Sequence, residues 1–547
     1  MKKIVALCLS LVLSLGLLAG CGDGGSGASS DKILRMGISS INGIFNPIMT
    51  DQKYDSWVCD LVFDKLVTNN KEGEYVPGCA TWELSEDHLT YTFTLKDGIT
   101  FSDGTAMTAE DVAFTYTTIA DPAYDGPRSY AVSGLVGYDE YSSGSADTFE
   151  GIKVIDEKTI SFTFRAGQES PANINCFQYG ILPKAIYTFS SWDEFKAKND
   201  QPVGSGQFIF DSWALNEHVT LNTRADYWDK DRQIKFGGLV LVNVPDESII
   251  GALQANEIDY GQPSATTENY DEINSIDGVS AITYLGNGYT YLQFNCTLPK
   301  LQDVRVRQAL MFALDRKAFI ESYYGDIASV GMAPISPVSW AFPDAGDMEA
   351  YDYDQAKAAE LMDAAGWEMG DDGYRYKDGE KFTVSWLVYE DAPWPGILAG
   401  MAYDSWKELG VDLVIEKMDF GTVQSRTSVP EPGEKDFEIY TMGFSLDIDP
   451  NPEGALYDAE AYRAGGFNAS GFRDERSQEL QQQGKVEFDQ AKRAEIYKEW
   501  GALQTELIPT VIVAYRNEVW GVRDTVKGLD LSAYIEWPMI LHNVTIS

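Results

Sequence analysis

The 547-residue sequence predicts an α/β protein made of more than one domain. Strand patterns and helix patterns alternate along most of the chain, which is the order expected when helices cover a sheet. The clearest example lies between Phe382 and Ile415, where a strand, a helix and a second strand form a βαβ unit. A chain of this length is typical of roughly two to four domains and can bury large hydrophobic cores.

The segment from Ala80 to Val112 contains a strand, two turns and a capped helix. Apolar and polar residues alternate from Leu89 to Leu95, which is the period of a half-buried strand. Two Asp-Gly dipeptides, which favour turns, follow. Thr108 and Asp111 have the spacing of a capping box, so a helix is predicted to begin at Thr108.

The alternation continues through the middle of the chain. Val154-Ile155 and Ile160 to Phe164 are predicted to be paired short strands, and a glycine-rich turn leads into a strand within Pro202 to Trp213. Leu239 to Val244 has the apolar run of a buried strand, and a helix is predicted to begin at Asp246. This order again indicates an α/β domain.

Capped helices dominate the next part of the chain. Asp303, Asp315 and Asp354 each precede a helical pattern and are predicted to be N-caps. Gly366 is predicted to end the third of these helices.

The βαβ unit follows these helices. It consists of a strand from Phe382 to Tyr389, a helix from Pro395 to Leu409 and a strand from Val411 to Ile415, with Gly410 ending the helix. Ile397 and Met401 share one face of that helix.

A last helix precedes the C-terminal strand. Its apolar residues, Ile496, Trp500, Leu503 and Leu507, are spaced by four, three and four positions. Pro509 is predicted to stop it before a strand from Thr510 to Tyr515.

The composition excludes several classes of partner. The formal net charge is −42, which disfavours nucleic acid and adsorption to anionic lipid. Solubility is the simplest explanation of this charge, with attraction of cationic substrates as the alternative. Aromatic residues make up 12% of the chain, which suits both core packing and ligand contact.

The N-terminus predicts export and lipidation. Lys2 and Lys3 precede an apolar run from Ile4 to Leu18, which is too short for an ordinary transmembrane helix. The sequence Leu18-Ala19-Gly20-Cys21 resembles the lipobox of bacterial lipoproteins, so residues 1–20 are predicted to be a signal peptide. Cys21 would become the lipidated N-terminus, and residues 21–32 would form a flexible tether. The alternative is an ordinary signal peptide with an incidental cysteine.

Four cysteines remain in the body of the chain, namely Cys59, Cys79, Cys176 and Cys296. An exported location permits disulfides, so free thiols and bridges are both open. No CxxC pair supports a metal or redox site.

Enzyme motifs are not found, and we expect no catalysis, metal or cofactor. The three histidines do not pair at i, i+4, and the sequence has no HExxH, P-loop or GxSxG motif. The run from Asp447 to Asp458 resembles a calcium loop only weakly, because Pro452 stands where the loop needs glycine.

Several segments resemble, in order, the extracytoplasmic solute-binding proteins of family 5, which are the peptide and nickel receptors of ABC importers. The resemblance extends from about Ile33 to Tyr515. Its segments are Ala80 to Val112, Pro202 to Trp213 (PVGSGQFIFDSW), Asp226 to Trp228 (DYW), Leu253 within ALQANEID, Asp303 to Lys317 (DVRVRQALMFALDRK), Ala333 to Pro337, Ala356 to Trp367 and Gly443 to Asp447 (GFSLD).

The resemblance implies a periplasmic-binding-protein-like fold of class II, with two hinged α/β lobes plus an extra domain. Domain I would comprise residues 33–59, 202–297 and 508–547, domain II residues 60–201, and domain III residues 298–507. Ligand would bind between domains I and III and shift an open–closed equilibrium. The segment Ala80 to Val112 would lie in domain II, away from the lobe that supplies Asp447.

The resemblance also implies site residues. Asp447 matches an aspartate that pairs with the α-ammonium of a bound peptide, and Phe444 lies where the family often has tryptophan. Trp394 is a candidate pocket aromatic, and Tyr54 and Asp55 lie where the N-terminal segment approaches ligand. The structural alternatives are a solvated or capping role for Asp447 and core packing for Trp394.

The function implied is a lipid-anchored receptor that captures an oligopeptide or dipeptide outside the cytoplasm. It would deliver the peptide to an ABC permease and its ATPase subunits, and we expect it to be a monomer. Localisation would be the outer face of the cytoplasmic membrane or the periplasm, through the anchor on Cys21. Open alternatives are oligosaccharide, nickel-chelate or haem cargo, a lipoprotein sensor or adhesin on the same fold, and an enzyme.

Overall fold

The computed structural model describes residues 30–427, 436–463 and 466–547, and its main feature is one large mixed sheet. The predicted signal peptide, Cys21 and most of the predicted tether lie outside the described residues. In the described part the sheet has 12 strands. Ten of them follow each other in the order Asp412–Met418, Thr383–Tyr389, Ile439–Ser445, Gly288–Phe294, Thr510–Arg523, Tyr260–Gly261, Ser30–Ile38, Phe236–Asn243, His218–Thr223 and Phe208–Ala214. The other two, Val279–Leu285 and Ala328–Val330, pair with Thr510–Arg523.

Smaller sheets lie outside this one. A four-stranded antiparallel sheet has the order Ala80–Leu84, Thr90–Leu95, Thr159–Thr163 and Ile152–Val154. The remaining strands pair as Val67–Asn69 with Tyr75–Pro77, as Glu368–Met369, Arg375–Lys377 and Glu380–Lys381, and as Val526–Lys527 with Thr545–Ile546.

Helices cover the faces of the sheets. The α-helices of the described residues are Lys53–Val62, Ala109–Ile119, Tyr130–Ser133, Tyr138–Ser142, Lys184–Tyr187, Trp192–Lys196, Ile249–Gln254, Thr267–Ser275, Pro299–Gln302, Val304–Phe312, Arg316–Phe319, Gln355–Ala364, Pro393–Glu408, Phe420–Thr427, Glu475–Val486, Gln490–Leu507 and Trp537–Ile540. A π-helical turn, Ile320–Tyr324, continues one of them.

The strand and capped helix predicted within Ala80 to Val112 are confirmed. Tyr91, Phe93 and Leu95 are buried on one face of the strand Thr90–Leu95. The Asp111 carboxylate accepts hydrogen bonds from the Thr108 backbone N–H at 2.8 Å and the Thr108 hydroxyl at 2.9 Å. These bonds fix the start of the helix at Ala109.

The other predicted caps and the βαβ unit are also confirmed. The carboxylates of Asp303, Asp315 and Asp354 each accept a backbone N–H in the first turn of a helix. Strands Thr383–Tyr389 and Asp412–Met418 are parallel neighbours, which requires the intervening helix as a crossover.

The buried faces of two helices differ from the predicted ones. On Pro393–Glu408 the buried residues include Trp394, Leu398 and Trp406, whereas Ile397 is 40% exposed. The tryptophans offer the largest apolar area, and the Trp406 indole N–H donates to the Leu310 carbonyl at 2.9 Å.

On Gln490–Leu507 the buried set is Arg493, Tyr497, Trp500, Gly501, Gln504 and Thr505. The predicted stripe shares only Trp500 with this set. Polar side chains can be buried here because they form hydrogen bonds with each other. The indole N–H of Trp500 and the amide of Gln504, for example, both donate to the Ser477 hydroxyl.

Two hydrophobic cores divide the described residues. The first core takes its residues from 34–241 and 520–544, together with Tyr260. The second core takes its residues from 244–519. The strand Thr510–Arg523 belongs to both, because Val511 to Val519 pack in the second core while Trp520 and Val522 pack in the first.

No disulfide joins the four body cysteines, all of which lie in the described part of the chain. Of the two alternatives for these cysteines, the structure shows thiols. Within residues 30–427, 436–463 and 466–547, no helix has both the length and the apolar character needed to cross a bilayer.

Arg224 connects the segment that precedes the helix Ala109–Ile119 to the large sheet. Its side chain is 1% exposed and donates to the carbonyls of Thr100 at 2.7 Å, Ser205 at 3.0 Å and Phe101 at 3.0 Å. It also donates to the carboxylate of Asp226 at 2.9 Å. The carbonyls of Thr100 and Ser205 would otherwise be buried without a donor, whereas the carbonyl of Phe101 also accepts the Gly104 N–H at 3.0 Å.

We predict that Arg224→Met lowers the free energy of unfolding by about 3 kcal/mol or more, because the buried carbonyls of Thr100 and Ser205 lose their donor. Urea denaturation followed by circular dichroism measures this change. Arg476→Met is the control, since Arg476 pairs with Glu499 at the surface and should contribute less than about 1 kcal/mol. Equal effects of the two substitutions would contradict the prediction.

Candidate ligand-binding site

A cleft lies between residues of the two cores, and three of its cavities meet along the segment from Asp447 to Asp449. Their volumes are about 460, 310 and 110 Å³. Ile448 lines the first two and Asp447 the last two, so the three cavities adjoin one another. We call them the aromatic, carboxylate and inner cavities. Together they have the size range of small-ligand sites.

Asp447 lies just past the end of the strand Ile439–Ser445. The Asn287 amide donates to the carbonyls of Leu446 at 2.8 Å and Asp447 at 3.0 Å, which fixes the path of the chain as it leaves the sheet. The carboxylate of Asp447 is open to the cleft and has no hydrogen-bond or ion-pair partner among the described residues.

The surroundings of Asp447 disfavour its negative charge. Desolvation by the protein around the cleft raises the pKa of Asp447 above the ordinary aspartate value, and the charge of Asp449 raises it further. A cation placed beside Asp447 would relieve both effects. The site is therefore suited to binding a cationic group.

Asp449, two residues further on, is already paired. Its carboxylate binds the Arg493 guanidinium through two contacts, at 2.5 and 2.8 Å. The side chain of Arg493 is 4% exposed and that of Asp449 is 9% exposed. This bidentate pair anchors the segment that carries Asp447 to the helix Gln490–Leu507.

Phe444 lies beside Asp447 on the cleft wall and lines the inner cavity. Its ring stacks on Tyr289 with centroids 5.8 Å apart, and Tyr289 is directly opposite on the strand Gly288–Phe294. The structure thus brings together two of the predicted site residues, Asp447 and Phe444.

Tyr54 and Asp55 do not line these three cavities. Asp55 is 1% exposed, and its carboxylate accepts the backbone N–H groups of Asn42 at 3.0 Å and Ile44 at 3.2 Å. Burial raises the pKa of Asp55, and these hydrogen bonds oppose the rise. The hydroxyl of Tyr54 accepts a hydrogen bond from Ser39 at 2.8 Å. Both residues hold the loop after the strand Ser30–Ile38.

Trp394 also lies away from the three cavities. It is 5% exposed in the second core, with its ring edge-on to Tyr389 at a centroid distance of 6.0 Å. This placement agrees with the alternative role in core packing.

The carboxylate cavity contains residues that the sequence did not indicate. Glu536 lines it with Asp447, Asp60 and Lys65. Lys65 pairs with Asp60 at 2.7 Å, and the Glu536 carboxylate accepts the Trp57 indole N–H at 2.7 Å. Burial and the charge of Asp60 raise the pKa of Glu536. Three carboxylates thus face one lysine, which leaves a negative potential in the cavity.

The aromatic cavity corrects one expectation about the segment from Ala80 to Val112. We expected this segment to lie away from the part that supplies Asp447. Instead, Trp82, Leu84 and Tyr91 line a cavity together with Ile448 and Asp449. The alternation that predicted the strand could not show this, because it distinguishes two faces without showing what each face meets.

An unpaired strand edge adjoins Asp447. The strand Ile439–Ser445 pairs along its whole length with Gly288–Phe294. On its other side, Thr383–Tyr389 pairs only with Ile439 and Tyr440. Among the described residues, the edge from Thr441 to Ser445 therefore has no strand partner. Thr441 is buried, whereas Gly443 and Ser445 are exposed, so the backbone groups at the end nearest Asp447 are available to an extended chain.

Within the described ranges, no group of three or more histidine, cysteine, aspartate or glutamate side chains converges as ligands for an ion.

Comparison with known proteins places this geometry in context. Residues 74–464 match the family model "Bacterial extracellular solute-binding proteins, family 5 Middle". The oligopeptide-binding protein OppA of Bacillus subtilis is 25% identical over 97% of each chain.

Solved structures share the fold. The ABC transporter substrate-binding protein CtaP of Listeria monocytogenes is 24% identical, with a TM-score of 0.80 over 94% of this chain and 99% of that chain. The oligopeptide-binding protein AppA of Bacillus subtilis, solved in complex with a nonapeptide, is 20% identical, with a TM-score of 0.74 over 95% of this chain and all of that chain.

We predict that Asp447→Asn stabilises the unliganded protein at pH 7. The pKa of Asp447 is raised in the folded state, so the unfolded chain loses this proton first as the pH rises. The ionised carboxylate therefore opposes folding above its raised pKa, and this cost disappears as the pH falls below the ordinary aspartate value.

Thermal unfolding at pH 7 and at pH 3 measures the effect. Asp447→Asn should raise the Tm at pH 7 and lose this advantage at pH 3. Asp404→Asn, on the exposed face of the helix Pro393–Glu408, is the matched control and should leave the Tm unchanged. A Tm for Asp447→Asn equal to or below that of the parent at pH 7 would contradict the prediction.

Proposed function

Because the chain belongs to the family 5 bacterial extracellular solute-binding proteins, we propose that it captures peptides with a free N-terminus in its cleft. It would release them to the permease of an ABC importer without changing them chemically. The names of its relatives support this proposal, since the Bacillus subtilis protein at 25% identity is an oligopeptide-binding protein. The nonapeptide bound to a structural neighbour supports it further.

The observation that carries the proposal is the unpaired carboxylate of Asp447. Its neighbour Asp449 is neutralised by Arg493, and Asp60 by Lys65, but Asp447 has no such partner among the described residues. An α-ammonium about 4 Å away, at an effective dielectric constant of ~20, would interact with it by roughly 4 kcal/mol before desolvation. That interaction is large enough to select a charged N-terminus over a blocked one.

The strand edge from Thr441 to Ser445 supports a peptide in particular. An extended peptide can add to it through main-chain hydrogen bonds, which contribute affinity without regard to side-chain identity. The edge leads directly to Asp447, so a peptide can satisfy the backbone and place its amine at the carboxylate. We therefore expect the protein to recognise the length of a peptide and the charge of its N-terminus.

Closure of the cleft would couple binding to delivery. Ligand in the carboxylate cavity would touch residues of both cores, for example Met539, which packs against the first, and Leu446, which packs against the second. A ligand shifts the open–closed equilibrium by the contacts that it makes only in the closed state. We propose that the permease recognises that state.

We also propose the other parts of the arrangement that the sequence predicts. They are the division into domains I, II and III, the lipid anchor on Cys21, the monomeric state and the placement at the outer face of the cytoplasmic membrane or in the periplasm. Cys21 lies outside the described residues.

We predict that Asp447→Ala weakens the binding of peptides with a free N-terminus by about thirtyfold or more, because removal of one partner of a charged pair costs about 2 kcal/mol or more. Isothermal calorimetry with a mixed set of pentapeptides measures the affinity. Asp404→Ala is the control and should bind like the parent.

The same peptides with an acetylated N-terminus complete a thermodynamic cycle. Acetylation should greatly weaken binding to the parent and change the affinity of Asp447→Ala little, because the two changes remove one interaction. Additive losses, or an unchanged affinity of Asp447→Ala, would refute this role for Asp447.

A further inference from the structure

The aromatic cavity is the largest of the three cavities of the cleft, and rings from both cores form its walls. Tyr75, Trp82 and Tyr91 come from the side of the first core, while Trp340 and Phe488 come from the side of the second. The imidazole of His88 stacks on Phe488 at a centroid distance of 3.9 Å and brings the two sides into contact. The aromatic cavity therefore has all of its walls only when the two sides of the cleft are in contact.

The charges inside this cavity are paired with each other, and one carboxylate without an ion-pair partner among the described residues lies at its rim. Asp449 and Arg493 form a bidentate pair at one end, and the Arg493 guanidinium also lies 5.8 Å from the ring centroid of Trp340. Glu74 is exposed at the rim, where its carboxylate accepts the Asn70 amide at 2.8 Å. A charged ligand group would lose hydration inside the cavity without gaining a free counter-ion there, and a cation would meet only the solvated Glu74 carboxylate at the rim.

One polar group in the cavity is unsatisfied. The Tyr75 hydroxyl is buried and has no hydrogen-bond partner among the described residues. Buried hydroxyls are normally paired, because an unpaired one costs free energy relative to water. A ligand group that reaches this oxygen would therefore gain more than an exposed hydrogen bond provides.

These features favour one kind of side chain. Flat aromatic walls pack best against another ring, in offset or edge-on contact. Tyr75 contributes its ring to the wall, and its hydroxyl, buried behind that wall, becomes a hydrogen-bonding point when the cleft opens to admit a ligand. An aromatic ring with a polar edge, as in tyrosine or tryptophan, matches both, whereas phenylalanine matches only the walls and lysine matches neither.

The position of this aromatic side chain within the bound peptide follows from the placement of the aromatic cavity next to the carboxylate cavity. Asp447 lies in the carboxylate cavity, and Asp449 lines the aromatic cavity two residues later. An extended chain advances about 3.3 Å per residue, so a peptide whose amine is held at Asp447 reaches the aromatic cavity within about three residues.

We propose that the aromatic cavity binds the side chain of a tyrosine or tryptophan within the first three residues of the captured peptide. The proposal rests on the proposed function, and it makes the receptor selective for aromatic peptides rather than indifferent to side chains. Because both sides of the cleft supply walls, the bound ring adds contacts that exist only in the closed state.

Calorimetry with pentaalanine and its single substitutions tests the proposal. Tyrosine, phenylalanine or lysine is placed in turn at each of the five positions. We expect tyrosine at one of the first three positions to improve affinity about tenfold or more over alanine. Phenylalanine at that position should bind about fivefold more weakly than tyrosine, and lysine should give no gain.

Two variants assign the effect to the cavity. Tyr75→Phe should remove the difference between tyrosine and phenylalanine peptides while keeping the affinity for phenylalanine. Trp340→Ala should reduce the gain from either ring. Tyr403→Phe, at an exposed position on the helix Pro393–Glu408, is the matched control and should keep the full selectivity.

The outcomes separate the two proposals. Equal binding of all pentapeptides would overturn the aromatic selectivity and leave peptide capture standing. Binding of none of them would overturn both. A preference for tyrosine that survives Tyr75→Phe would overturn the role of the hydroxyl.

Discussion

The continuous strand Thr510–Arg523 is the constraint on which the two-core arrangement depends. Its first part pairs with Gly288–Phe294 and packs in the second core, whereas Trp520 and Val522 in its second part pack in the first. Because one strand serves both cores, a change in their relative position has to bend this strand near its middle, together with the adjoining turn around Asn287. Asn287 also holds the chain that leads to Asp447. The pivot and the proposed amine site are thus connected by direct hydrogen bonds.

The carboxylates of the cleft are of two kinds. Most of them bind a group of the protein and maintain its structure, whereas one has no such partner and can bind a ligand. Asp449, Asp60 and Glu536 each have a partner within the protein, namely Arg493, Lys65 and the indole of Trp57. Asp447 stands among them without one. A pairing of Asp447 within the protein would satisfy the carboxylate, but it would also make a ligand ammonium compete with an internal cation. The raised pKa of Asp447 is the measurable sign of this arrangement.

Local features of this fold could be predicted from the sequence, whereas the features that depend on distant contacts could not. The caps at Thr108, Asp303, Asp315 and Asp354 were predictable, because an aspartate or threonine side chain meets backbone groups only a few residues away. The βαβ unit followed from strand and helix periods alone.

The buried face of Pro393–Glu408 was not predictable in this way, since it depends on what the tryptophans meet across the core. The same limit applies to the candidate site. Asp447 and Phe444 were reached through a resemblance, but Tyr75 and Phe488 are more than four hundred positions apart and carry no local sign that they share a cavity. The segment from Ala80 to Val112 shows the limit most clearly, because its fold was predicted correctly and its position beside the cleft was not.

The unpaired edge from Thr441 to Ser445 has a further consequence for the protein at high concentration. Exposed strand edges act as templates on which other chains assemble into extended sheets and fibres. Here Thr441 is buried and only Gly443 and Ser445 are exposed, so the free part of the edge is too short to be a good template for a sheet. A short free edge therefore leaves backbone groups open to a ligand while giving other copies of the protein little to assemble on.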